Sequence, residues 1–170
     1  KGKIISEIII SEKFKKYKSA YHHCNDILID ENSIYVSMFS FSGNHQKNIY
    51  DGGIMEFDLE TKKYIGCPIN NLWMPHSVKK FNGNIHILDS LKGDLRNGDK
   101  EVLGTFPGFS RGLDFDGRYY FIGQSKNRNF SKNIGNSNNI SLDNSVIVFD
   151  PQNKISKSLP LNNISEIHSV

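Results

Sequence analysis

The chain has 170 residues, 37% hydrophobic and 23% charged, with 21 basic against 18 acidic residues for a net charge of +3. That composition suits a folded domain with its own core, and no apolar run nears the roughly 20 residues of a membrane helix. The positive balance is too mild and too dispersed for a nucleic-acid surface, so neither nucleic acid nor membrane is an expected partner.

Lys3–Ile10 reads as a strand and the basic stretch Lys13–Lys18 as a solvated connector. From Cys24 onward, short apolar runs broken by Asn, Gly, Asp and Ser predict antiparallel strands, and no amphipathic helix is expected. The first unit runs Asn25–Asp30, Ile34–Phe39, Ile54–Leu59 and Tyr64–Ile69. The second runs His76–Phe81, Asn84–Asp89 and a weaker outer pair ending at Val102–Phe106. The third runs Arg111–Phe115, Arg118–Ile122, Val146–Asp150 and Ile155–Leu159. Asn82-Gly83 and Asp116-Gly117, each between apolar runs, are strong hairpin signals.

The outer strands repeat as well. Ile54-Met55-Glu56-Phe57-Asp58 matches Val146-Ile147-Val148-Phe149-Asp150, and a turn with a lysine follows each. Four strands in about 40–45 residues is the period of a propeller blade. The expected fold is therefore an all-β β-propeller with about three four-stranded antiparallel blades. Their bounds fall near 25–70, 76–106 and 111–160, and 3–10 and 167–170 read as strands of neighbouring blades. Three blades do not close a ring. The chain, which starts at Lys1 and not Met, reads as a single, incomplete propeller domain. It is either cut from a longer chain or half of a six-bladed ring, and a second copy or a continuation of the same chain is the expected partner.

Four lead-in motifs align: Cys24-Asn25-Asp26-Ile27, Pro75-His76-Ser77-Val78, Ser110-Arg111-Gly112-Leu113 and Ile167-His168-Ser169-Val170. Each sets a polar or ionisable residue at the start of an innermost strand. A blade meanders outward from the axis, so these four residues should ring one mouth of the channel. The long loops Ser40–Gly53 and Gln124–Ser145 should share that face, and long loops in compact domains are more often functional than not.

Asn25, His76 and Arg111 are the candidate ligand-binding residues, with Lys126 and Arg128 reaching over from the second loop. An arginine there offers a planar fork to a carboxylate or phosphate, or else forms a structural salt bridge to a central acid such as Asp26. A second candidate set, His23, His76 and His168, would hold zinc or calcium for hydrolase or lyase chemistry. No HxH or HxxxH pair accompanies it. A third reading is a protein-interaction scaffold with an inert axis. His86, His45 and Trp73 read as packing or surface residues. Cys24 and Cys67 lie far from any CxxC pattern and read as buried free thiols of a reducing, cytoplasmic compartment.

Several motifs resemble a family of uncharacterised bacterial proteins, classed as a conserved domain of unknown function and predicted to form propellers. They are His23-Cys24-Asn25-Asp26-Ile27, Met74-Pro75-His76-Ser77, Pro107-Gly108-Phe109-Ser110-Arg111-Gly112-Leu113 and Ser125-Lys126-Asn127-Arg128. The resemblance implies the fold and the site's position but no reaction. At 168 the family pattern has an aromatic residue where this chain has histidine. More distantly, the architecture is similar to lactonase-type and amidating-lyase-type propellers, which set calcium or zinc at the axial mouth.

Overall fold

A computed structural model describes residues 2–4, 6–11, 16, 21–99, 101–128 and 140–170. Twelve strands form three separate four-stranded antiparallel sheets. The first contains β1 (Cys24–Asp30), β2 (Ser33–Met38), β3 (Gly52–Asp58) and β4 (Tyr64–Leu72). The second contains β5 (Pro75–Phe81), β6 (Asn84–Asp89), β7 (Asp94–Asn97) and β8 (Glu101–Thr105). The third contains β9 (Phe109–Phe115), β10 (Tyr120–Ser125), β11 (Ser145–Asp150) and β12 (Ile155–Pro160). Within each sheet the strands follow sequence order. The innermost strand β5 lies against β1 on one side and β9 on the other, as neighbouring propeller blades do around an axis.

Local chemistry accounts for the turns. Asn82 and Gly83 both take positive φ, 50° and 80°, as a two-residue turn between twisted strands requires. The Phe57-Asp58 and Phe149-Asp150 repeat closes the 3→4 hairpins. Asp58 Oδ1 accepts the Glu60 and Thr61 N–H groups, and Asp150 Oδ1 accepts those of Gln152 and Asn153. The lysine after each turn, Lys62 or Lys154, is left-handed.

The core lies between blades. Tyr35, Ile54, Ile69 and Leu72 of the first sheet pack on Val78 and Ile87 of the second. Leu88 and Leu95 of the second pack on Leu113, Tyr120, Ile122 and Phe149 of the third. Burying each large apolar side chain contributes about 1.5–3 kcal/mol, so the blades hold one another in place.

Among the described residues, neither terminal run expected as a strand forms one. Residues 2–4 and 6–10 form no strand, and Ile4 and Ile9 remain exposed; a strand exists only through its ladder, and these residues have none. Residues 167–170 are also outside any strand. Ile167 is buried nonetheless, because Ser125 Oγ accepts its N–H (2.9 Å) and donates to its carbonyl (3.2 Å). One serine hydroxyl thus does the work of a ladder partner. Most of the basic connector 13–18 and residues 129–139 of the second long loop lie outside the described residues. Both thiols are free, but neither is buried as the sequence predicts: Cys24 is exposed and Cys67 half-buried.

Each innermost strand bulges at its lead-in residue or just past it. Pairing skips Asn25 in β1, Ser77 and Val78 in β5, and Arg111 and Gly112 in β9. Bulges bend a strand and re-aim its side chains. Ser77 and Gly112 take left-handed φ of 62° and 74°, and the Gly112 N–H donates to Ser77 Oγ at 2.9 Å, joining two bulges across blades. A Cβ on Gly112 would come within 2.7 Å of the Ser169 backbone. Gly112→Ala therefore combines a strained φ with a clash and is expected to cost about 1–3 kcal/mol in urea unfolding. An unchanged midpoint would show that this junction yields.

Candidate functional site

The bulge ring encloses a cavity of about 400 Å³ at the axial mouth. Its wall takes His23, Asn25 and Asp26 from the first blade and His76 and Ser77 from the second. Arg111 and Gly112 come from the third, followed by His168, Ser169 and Val170. Asn25, His76, Arg111 and His168 thus face one space, as the alignment of lead-in motifs predicts.

Aromatic packing underlies the mouth. His23 stacks on Phe39 with centroids 4.1 Å apart, and Phe39 meets His76 edge-on at 5.1 Å. His76 in turn meets Phe109 edge-on at 5.4 Å, and the Arg111 guanidinium lies 5.1 Å over that same ring. Phe39 and Phe109 are buried with Met74 and Leu91, so the polar rings rest on an apolar floor.

His76 has a defined tautomer. Its Nδ1 lies 3.0 Å from the Met74 carbonyl, which only accepts, so Nδ1 carries the hydrogen. Ser90 Oγ sits 2.9 Å from the same nitrogen while donating to the Ser110 carbonyl. Burial, followed by the Arg111 charge, drives the His76 pKa from 6.5 to about 3, so the ring is neutral at physiological pH. Nε2 then carries a lone pair, has no hydrogen-bond partner among the described residues, and stays accessible at the cavity wall.

Arg111 pairs with Glu166, not Asp26. Its Nη1 donates to Glu166 Oε2 at 3.2 Å, whereas Asp26 Oδ1 accepts the adjacent Ile27 N–H. Arg128 also binds Glu166, and His168 Nε2 lies 3.2 Å from it. The Arg111 side chain is only 15% exposed, and its Nε is buried with no partner.

Asn25 lines the cavity with both ends of its amide engaged. Nδ2 donates to the Pro75 carbonyl at 2.6 Å, and Oδ1 accepts from Ser37 at 2.5 Å. Lys126 is exposed and does not line the cavity, although its backbone N–H is held by Asn144.

His23, His76 and His168 share the cavity, yet no three His, Cys, Asp or Glu side chains among the described residues converge as metal ligands. Arg111 places a positive charge beside two of them, lowering the pKa of both His23 and His76 after the larger effect of burial. That field opposes a second cation. Among the described residues these three histidines do not by themselves make a zinc or calcium ligand set.

A family model described as a domain of unknown function, DUF4915, matches residues 15–170. The chain belongs to the DUF4915 family. No curated protein matches it. The solved structures include a similar chain in a nidogen/laminin complex, with a TM-score of 0.57 at 11% identity. The match covers 86% of this chain and 51% of that one, so the DUF4915 chain spans about half that length. At that identity the likeness establishes the β-propeller fold alone.

Sequence reasoning missed Glu166, the hub of the mouth's ion pairs in this DUF4915 chain. The signal lay one step upstream of the aligned motifs. Two residues before each lead-in residue stand His23, Met74, Phe109 and Glu166, and all four lie at the mouth or in its floor. His45 has a packing role, one of the two expected of it: its Nδ1 donates to the Tyr21 carbonyl and its ring lies 5.1 Å from His23. Asp89 was missed too. It is fully buried, accepts the Trp73 N–H at 2.6 Å and pairs with Lys92 at 3.2 Å. Gln124 does the same for Gly108 in the next blade, so both side chains pin the connector entering an innermost strand. His86 packs against Phe81 and Tyr120, the structural role expected of it.

Proposed function

We propose that this domain binds a small anionic ligand in the axial cavity, with Arg111 as the anion-binding cation. The observation that carries the reading is Arg111 itself: a mostly buried guanidinium at the cavity wall, whose Nη1 meets Glu166 while Nη2 has no hydrogen-bond partner among the described residues. Nε is buried out of a ligand's reach, so an incoming oxyanion would meet the Nη groups. Arginine's fixed fork suits carboxylate and phosphate. The cavity's size falls within the roughly 300–1,000 Å³ of small-molecule sites. Arg128 approaches the same mouth through Glu166.

Thermal-shift titration with phosphate and a series of carboxylates tests this. At least one anion is expected to raise the melting temperature of the wild type, and Arg111→Ala should abolish that rise while remaining folded. If the variant responds to every anion as the wild type does, Arg111 does not bind them and the reading fails.

A further inference from the structure

We propose that the ligand of this mouth is a hydroxylated anion, its charge held by Arg111 and a hydroxyl donated to His76 Nε2. The inference rests on the anion reading above and adds the class of molecule. The Met74 carbonyl fixes the hydrogen on Nδ1, so the cavity-facing nitrogen is an acceptor that meets no protein donor. A plain carboxylate or inorganic sulfate has nothing to donate to it, whereas an α-hydroxy acid, a sugar acid or a polyol phosphate has.

The acceptor and the cation stand on adjacent blades and flank the one Phe109 ring, His76 at 5.4 Å and Arg111 at 5.1 Å. A compact ligand therefore meets both. Ser77, between them, accepts the Gly112 N–H through Oγ and keeps its own hydroxyl hydrogen to offer. The wall thus presents donors for an anion and, in His76 Nε2, an acceptor for a hydroxyl beside them, and discrimination by such unpaired polar groups is steep.

The test compares tartrate with succinate and gluconate with hexanoate by titration calorimetry. Each pair keeps charge and chain length and changes only hydroxyl content. The hydroxylated member is expected to bind at least about 10-fold more tightly to the wild type, the factor of one good hydrogen bond. His76→Asn retains a donor near Nδ1 and removes the Nε2 acceptor; it should bring both members of each pair to equal affinity. His76→Gln, which puts an amide oxygen near the Nε2 position, should restore part of the preference. Equal affinity within each pair on the wild type overturns the hydroxyl inference and leaves the anion reading standing. Failure of all four acids and of phosphate to bind overturns both.

Discussion

Acid titration of stability is expected to separate His76→Asn from Asp89→Asn in opposite directions. His76 has a folded pKa of about 3 against an ordinary 6.5, because burial and then the Arg111 charge disfavour the imidazolium. The unfolded chain therefore takes up this proton first. The contribution of His76 is intact above pH 6.5 and is lost as pH falls toward 3, by up to about 1.4 kcal/mol per pH unit. Asp89 behaves in the reverse sense. Burial raises its pKa from 3.8 to about 6, against the opposing pull of Lys92. The folded chain protonates first, so Asp89 adds stability as pH falls through 6 and reaches its full contribution below 3.8.

Between pH 6 and 3.8 the two slopes oppose each other within the same blade. Urea unfolding across that window should show His76→Asn losing less stability than the wild type, and Asp89→Asn losing more. At pH 7, Asp89→Asn should be at least as stable as the wild type. An amide still accepts the Trp73 N–H, as the amide of Gln124 accepts that of Gly108, and Lys92 is exposed enough to swing out. Parallel curves for all three proteins would mean that neither group titrates as its burial dictates.

The fold was legible because propeller blades repeat and their turns have specific chemistry. Asn82-Gly83 marked a hairpin since two consecutive positive φ angles favour such residues, and the Phe-Asp repeats marked 3→4 turns that the aspartates cap. The position of the mouth was legible for the same reason, since alignment put Asn25, His76 and Arg111 in register. Their roles were not. Whether an amide faces a ligand or a neighbouring backbone depends on what the next blade presents, and Asn25 spends its amide on Pro75 and Ser37. The partner of Arg111 came from 55 residues away, a distance at which sequence spacing says nothing. The bulges were hidden too, because a non-glycine such as Ser77 at positive φ carries no local signature. Terminal runs such as 3–10 have strand composition, but composition supplies no pairing edge.

Replacing Glu166 is expected to lower stability and raise anion affinity together. Its carboxylate accepts from Arg111 and Arg128 and sits beside His168, so it holds the 164–170 segment to the third blade. Glu166→Gln keeps the shape and removes the charge, leaving Arg111 mostly buried with its strongest partner gone. The loss should be about 1–3 kcal/mol, below that of a fully buried pair because both groups keep some exposure to water. The same change frees two guanidinium groups at the cavity for an outside anion. If Glu166 is the internal competitor for Arg111, affinity for a bound anion should rise by about 10-fold, the factor expected for about 1.4 kcal/mol of relieved competition. A purely structural Glu166 would lower stability and lower affinity with it, because the wall formed by His168, Ser169 and Val170 would come loose. Parallel measurement of unfolding and of anion titration on this one variant therefore distinguishes a charge that props the mouth from a charge that fills it.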